Sequence, residues 1–288
     1  KYFFKSNQFQ QQKNKLATGA TQKAINNEKF SKIMIPSASL ECQEEAAKYF
    51  NLTDILLQKR KQSLVLLDEY LKSVFVKMTG NLFTNDKGWK YSNLGNNISL
   101  LTDYHANGSY EILKKNVELL DKPNYALMVR TTDLENNNFT KDVKYIDKHA
   151  YDFLKKSKVF GGEIIINKIG SAGKVYMMPR LERPVSLGMN AFLLRFDETL
   201  NPIFMYYLLT SEYGETLIRK KVQGAVTKTI RKDAIRGLQI PQIPLKLQNE
   251  FSEIVRNTEI IKQKMLVQKK ELDSQFQALM QKYFSPNR

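Results

Sequence analysis

Two long stretches of this chain, roughly residues 42–79 and 247–284, carry apolar residues along one stripe at helical spacing. In the second, Ile254, Ile261, Met265, Leu272, Phe276, Leu279 and Tyr283 follow at steps of 7, 4, 7, 4, 3 and 4. In the first, Tyr49, Leu56, Arg60, Leu67, Leu71, Val74 and Met78 repeat those steps. Such steps keep side chains on one face of an α-helix, which predicts a seam of coiled-coil type broken once by Arg60. Each stretch follows a proline-containing loop, a context that suits a helix start. A helix of about 38 residues at 1.5 Å per residue runs about 57 Å, more than a compact domain needs, so the two are expected to pack on each other. Lys59-Arg60-Lys61 and Lys269-Lys270 on the outer faces read as solvated surface or partner contact.

Between the helices, roughly residues 84–245, the pattern changes to short strands and short helices, predicting an α/β or α+β module. Ala126–Val129, Glu163–Asn167, Lys174–Met178 and Ala191–Phe196 read as strands, the last alternating only weakly. Asp147–Lys156 and Pro202–Val222 read as helices, the second with Asn201 as cap and Pro202 in the first turn. Trp89, after the turn-like Asp86-Lys87-Gly88, reads as a core anchor.

The chain repeats itself. Residues 1–83 align with 206–288 at a constant offset of 205, without a gap. Between Gly19–Glu45 and Gly224–Glu250 nine of 27 positions are identical, among them Gly19/Gly224, Lys23/Lys228, Ile35/Ile240 and Pro36/Pro241, well above chance. Tyr2/Tyr207, Ser6/Ser211 and Asp68/Asp273 extend the register, so a whole module is duplicated. The first copy holds only the end of that module, which leads to the expectation that about 120 residues belong ahead of Lys1. A partial view of a longer chain is the favoured reading, and a shortened form completed by a second copy is the other.

Composition narrows the partner. The 288 residues, 42% hydrophobic and 11% aromatic, suffice for packed cores and suggest about two domains. Lys and Arg number 45 against 29 Asp and Glu, a net charge of +16 that favours a polyanion, nucleic acid first. A soluble basic protein without such a partner is the plainer reading. A membrane is disfavoured, because stretches such as Phe204–Leu209 are far too short to span one. Lys1-Tyr2-Phe3-Phe4 does not look like a signal peptide. The single cysteine, Cys42, excludes a disulfide framework, fits a reducing cytoplasm and reads as a small buried group on a helix face.

Few residues offer chemistry of their own. In Gly161–Lys174 a strand runs into a glycine-bearing turn, with Lys168, Ser171 and Lys174 able to meet a phosphate. A hairpin turn with no ligand is equally open. It is not a nucleotide-binding loop, because Lys168 stands where the first glycine belongs and Val175 follows Lys174 in place of Ser or Thr. Gly224–Lys232, echoed by Gly19–Ile25, follows Arg219, Lys220 and Lys221; either a phosphate contact through Lys228, Arg231 and Lys23 or a plain turn fits. Arg130-Thr131-Thr132-Asp133 is a contact loop or a surface turn. His105 and His149 with one cysteine make no common zinc site. Asn201-Pro202-Ile203-Phe204 lacks the second proline of the amino-methyltransferase motif and reads as a helix cap. No carboxylate–lysine cluster suits a nuclease.

Gly162–Val175, Ser186 to Asn190, Gly224–Ile230 and Leu238–Gln248 together strongly resemble the specificity subunit of type I restriction-modification systems. The resemblance covers nearly the whole chain and implies a mixed α/β (α+β) target-recognition domain with long helices pairing as an antiparallel coiled-coil spacer. It divides the chain into the C-terminal remnant of a first recognition domain (1–40), a first spacer helix (41–83), a second recognition domain (84–245) and a second spacer helix (246–288). It implies a cytoplasmic, non-catalytic subunit that reads half of a split site in double-stranded DNA per recognition domain. It also implies docking of two methyltransferase subunits and, through them, motor-nuclease subunits. No cofactor is then expected in this chain; S-adenosylmethionine, ATP and Mg²⁺ belong to the partners. Lys168, Ser171, Lys174, Lys228 and Arg231 become candidate phosphate or base-edge contacts, joined by Asn190, Arg130 and Lys23. The other classes left open are the recognition end of a fused restriction-modification enzyme and a helical protein-binding scaffold that does not read DNA.

Overall fold

The two apolar stripes form helices that begin and end at the same offset as the sequence repeat. In the computed structural model, which describes residues 1–19 and 23–284, they are Leu40–Thr79 and Leu245–Phe284, each of 40 residues. In chain order, α1 (Asn7–Leu16), α2 (Asn27–Phe30) and α3 (Leu40–Thr79) lead into β1 (Tyr91–Asn93) and β2 (Ile98–Asp103). Then come α4 (Tyr110–Asn116), β3 (Ala126–Val129), α5 (Thr131–Glu135), β4 (Lys144–Ile146), α6 (Lys148–Phe153) and β5 (Lys158–Val159). β6 (Ile164–Asn167), β7 (Val175–Met177), β8 (Val185–Leu187) and β9 (Ala191–Phe196) follow, and after them α7 (Pro202–Thr210), α8 (Glu212–Arg219), α9 (Lys232–Arg236), β10 (Gln239–Pro241) and α10 (Leu245–Phe284). Two compact units result: Lys1–Tyr70 with Asn257–Arg288, and Leu71–Arg256.

In the first unit α3 and α10 meet around Phe50, which packs with Tyr2, Ala46, Phe276 and Met280. The Phe50 and Phe276 rings lie 5.6 Å apart, and Lys262 Nζ donates to Asp68 Oδ1 at 2.8 Å. Advancing from 50 to 68 on one helix thus means retreating from 276 to 262 on the other, an antiparallel pair. The seam differs in part from the expected one. Ala46, Phe50, Thr53, Leu57, Arg60, Leu64 and Leu67 are buried or half-buried, as are Thr258, Lys262, Met265, Lys269, Leu272 and Phe276. Tyr49, Leu56 and Ile261, expected in the seam, lie at its outside, 44%, 50% and 49% exposed. Adjacent apolar pairs such as Tyr49-Phe50 leave the facing row ambiguous, and the alternation of 4 and 3 resolves it. Lysine at 262 is tolerated because Asp68 and Glu259, each 2.8 Å away, hold its ammonium. Burial alone lowers the Lys262 pKa, but the two carboxylates outweigh it and raise it.

The second unit contains two four-stranded sheets. One is antiparallel, ordered β2-β9-β6-β7; the other is ordered β4-β3-β8-β5, with β3 and β8 parallel. Both faces of the first are covered. Ile164, Ile166, Phe192 and Leu194 point into a core shared with α7, α8 and the helix segments around Phe75 and Phe251. Ile165 and Leu193 point into a second core with Leu127, Val129 and Leu187 of the other sheet. A strand buried on both sides has no reason to alternate, which explains the run of three isoleucines and the weak pattern of Ala191–Phe196. β1 and β10 pair separately, Ser92 opposite Ile240. Trp89 is half-buried against the first of these cores, and its indole Nε1–H donates to the Thr79 carbonyl at 2.7 Å, fastening the end of α3.

One expected helix, Pro202–Val222, is two. Ser211 ends α7 and caps α8: its Oγ donates to the Leu208 carbonyl at 2.7 Å and accepts from the Gly214 N–H at 3.2 Å. A Cβ at Gly214 would lie 2.1 Å from that carbonyl, so glycine lets the second helix fold back. Asn201 and Pro202 start α7 as expected, the Asn201 side chain accepting from Ile203 and Phe204. Asp147–Lys156 is shorter too: α6 stops at Phe153 and a 3-10 turn, Lys155–Ser157, completes the stretch. Cys42 lies on α3, half-buried rather than buried.

The duplication is visible in the backbone. Ser6 caps α1 by accepting from the Phe9 N–H at 3.2 Å, as Ser211 caps α8. The bridge Thr18–Ala24 recurs as Gln223–Thr229, the same offset of 205. Burial separates the copies: Phe4, Phe30 and Ile35 are 47%, 47% and 65% exposed, whereas their equivalents Leu209, Ile235 and Ile240 are at most 1% exposed.

Candidate nucleic-acid interface

Three loops of the second unit, distant in sequence, are stitched together by backbone hydrogen bonds. The β6–β7 hairpin turn donates from Lys168 N–H to the Asn190 carbonyl at 2.7 Å and from Gly170 N–H to the Lys228 carbonyl at 3.0 Å. In return the Ile230 N–H donates to the Lys168 carbonyl at 3.0 Å. The Gly161–Lys174 stretch is therefore a hairpin, leading into β7 rather than a helix, and it is joined to the Gly224–Arg231 loop and the β8–β9 turn. Gly170 and Gly173 adopt φ of 81° and 87°, the left-handed region that glycine tolerates. At Gly173 a Cβ would also lie 2.5 Å from Ile218 Cγ2 of α8, which brings the hairpin beside the end of the helix that closes with Arg219 and runs on into Lys220 and Lys221. Gly173→Ala is expected to cost about 1–3 kcal/mol, read as a lower midpoint in chemical denaturation; an unchanged midpoint would show that the turn relaxes freely.

This stitching gathers six of the eight candidate residues, Lys168, Ser171, Lys174, Asn190, Lys228 and Arg231. Ser171, Lys174, Lys228 and Arg231 are exposed, and no carboxylate among the described residues pairs with any of these three cations. Lys174 Nζ sits 5.6 Å from the Tyr176 ring centre. Lys168 is different, since its Nζ is 3.1 Å from Asp103 Oδ2. Asn190 is exposed with φ of 69° and helps line a groove of about 270 Å³ with Arg130, Thr131, Thr132 and Met189. Arg130 reaches the same groove, but its guanidinium is committed: Nε donates to Asp133 Oδ2 at 3.1 Å and Nη2 to Oδ1 at 2.7 Å. Lys23 stands apart, exposed in the first unit at the position equivalent to Lys228. Of its loop, Ala20, Thr21 and Gln22 lie outside the described residues.

Sequence reasoning passes over two residues here. Asp103, at the end of β2, takes Lys232 Nζ at 3.1 Å on Oδ1 while Lys168 occupies Oδ2. Burial pushes its carboxyl up, yet the hydrogen bonds from Lys232 and Lys168 prevail and hold it below the usual carboxylate range. Lys232 is hinted at by its neighbour Arg231; nothing local marks Asp103. Among the described residues no group of His, Cys, Asp and Glu could hold a metal ion, and no helix is long and apolar enough to cross a membrane.

Residues 87–271 match the family described as the type I restriction modification DNA specificity domain. This chain belongs to that family. The type I specificity fold is also found in solved structures at low sequence identity. The type I restriction-modification S subunit from M. genitalium shares 17% identity and a TM-score of 0.55 over all of this chain and 72% of its own. A chain from a study of complex assembly and conformational transition of the type I R-M system gives 15% and 0.54, over all of this chain and 70% of that one. The HsdS subunit from Thermoanaerobacter tengcongensis gives 14% and 0.49, with 69% of that chain covered. No curated protein matches the sequence. The first two likenesses are of fold, and the type I specificity family is carried by the matched residues 87–271.

Proposed function

We propose that this chain reads DNA as the non-catalytic specificity subunit of a type I restriction-modification assembly, the second unit recognising one half of a split site. The observation that carries this is the stitched loop edge, where Lys174, Lys228 and Arg231 have no carboxylate partner among the described residues and the hairpin is bonded to Asn190, which lines the groove. Uncompensated cations on backbone-braced loops suit phosphate oxygens, and Ser171 adds a hydroxyl. Asn190 and the threonines of the groove offer hydrogen bonds to base edges. Lys168 and Arg130, each facing a carboxylate, hold the loops in place. Lys23 is the corresponding contact of the first unit.

In this reading residues 1–40 complete a first recognition domain, and 84–245 form the second. The paired helices, each about 60 Å long at 1.5 Å per residue, offer docking faces for two methyltransferase subunits. S-adenosylmethionine, ATP and Mg²⁺ act on the partner subunits, the latter two with the motor-nuclease, in the cytoplasm. Sequencing of methylated sites in a genome with and without the gene tests this. Loss of one split methylation motif with the gene is expected; an unchanged methylation pattern would favour a scaffold that does not read DNA. Methylation by the isolated chain would instead favour a fused enzyme.

A further inference from the structure

We propose that Asp103 restrains sequence-independent DNA binding by withholding Lys168 and Lys232 from indiscriminate contact with DNA phosphates. The inference rests on the DNA-reading function proposed above and assigns a role to a residue that need not touch DNA. Asp103 ends β2 opposite Phe192 of β9, and its carboxylate is 10% exposed. Lys168 comes from the hairpin and Lys232 from the start of α9, and each gives its ammonium to a separate oxygen of Asp103 at 3.1 Å. Both ammonium groups also lie over the Phe192 ring, 5.5 and 5.7 Å from its centre. The carboxylate and the ring thus hold Lys232, next to Arg231 in sequence, and Lys168, whose carbonyl accepts from the Ile230 N–H between Lys228 and Arg231, two cations with no carboxylate partner among the described residues.

The reason to hold them is the nature of phosphate attraction. A free surface cation gains from counterion release on any duplex, whatever its sequence. Specificity is the difference between target and non-target affinity, so cations that strengthen both by the same amount leave it unimproved and add competing sites. Asp103 lowers this shared attraction while still letting the lysines fasten the hairpin to α9.

The test is a salt titration of binding to a random-sequence duplex by the whole chain. Asp103→Asn is expected to tighten binding several-fold and to steepen the slope of log K against log salt by about 0.9 for each lysine released. The triple variant Asp103→Asn/Lys168→Gln/Lys232→Gln, which leaves no unpaired buried charge, is expected to return to within about 0.5 of the wild-type slope. A slope for Asp103→Asn equal to or shallower than wild type overturns the proposal; a purely structural role would weaken binding without steepening the slope. Should Asp103→Asn fail to fold, the triple variant decides: a slope about 1.8 shallower than wild type means both lysines already sit on phosphates, and the inference is wrong. Wild-type protein that binds no duplex at all rejects the DNA-reading function, and only then does the inference fall with it.

Discussion

Replacing Lys174, Lys228 and Arg231 together by alanine is expected to weaken duplex binding about 500-fold near 0.1 M salt and to flatten the salt dependence by about 2.7 in slope. Each phosphate contact contributes about 0.9 to that slope, and 0.1 M salt raised to that power gives a factor of about 8 per contact. All three are exposed and have no carboxylate partner among the described residues, so their removal leaves no buried charge behind. Folding should be untouched, since surface substitutions of this kind stay within about 0.5 kcal/mol. Fluorescence anisotropy of a labelled duplex across a salt series checks it. An unchanged slope would mean that the stitched loops do not face the phosphates.

Phe251→Ala is expected to destabilise the second unit by about 3–5 kcal/mol, the usual effect of removing a buried aromatic ring. Phe251 is fully buried, its ring 5.0 Å from Tyr207, 5.3 Å from Phe75 and 6.0 Å from Phe204. It therefore ties α10 to α3 and α7 at one point. Trp89, the single tryptophan, packs against the same core, so its fluorescence in a denaturant series follows this unit. Leu245→Ala, on the same helix and in the same unit but 40% exposed, should change the midpoint little. Equal effects from the two would show that the ring cluster carries no special share of stability.

The long helices were legible from their periodicity, the repeat from identities at a fixed offset, and several strands from short apolar runs bounded by turn residues. Pro202 and Asn201 announce a helix start through backbone chemistry alone, and the structure places it there. What the sequence hid depends on tertiary packing. Short strands such as β5 and β8 carry two or three residues and no readable alternation. The break at Ser211 turns on a close approach of Gly214 to Leu208, which no composition signals. For the candidate site, glycines and lysines marked the hairpin and the Gly224 loop separately. Their union arises from pairings across about 60 positions, such as Gly170 with Lys228, and those are visible only in three dimensions. Asp103 was illegible for the same reason, its partners lying 65 and 129 positions away.

Lys262 has a consequence for how the long helices find each other. Apolar seams of regular spacing are permissive, because sliding one helix by a heptad presents leucine-sized side chains to leucine-sized holes again. An ammonium in the seam removes that degeneracy: one heptad out of place, Lys262 would lose Asp68 from the facing helix. Slipped alignments are therefore penalised by a poorly solvated charge missing half its partners, and the pair settles into one alignment instead of a ladder of near-equals.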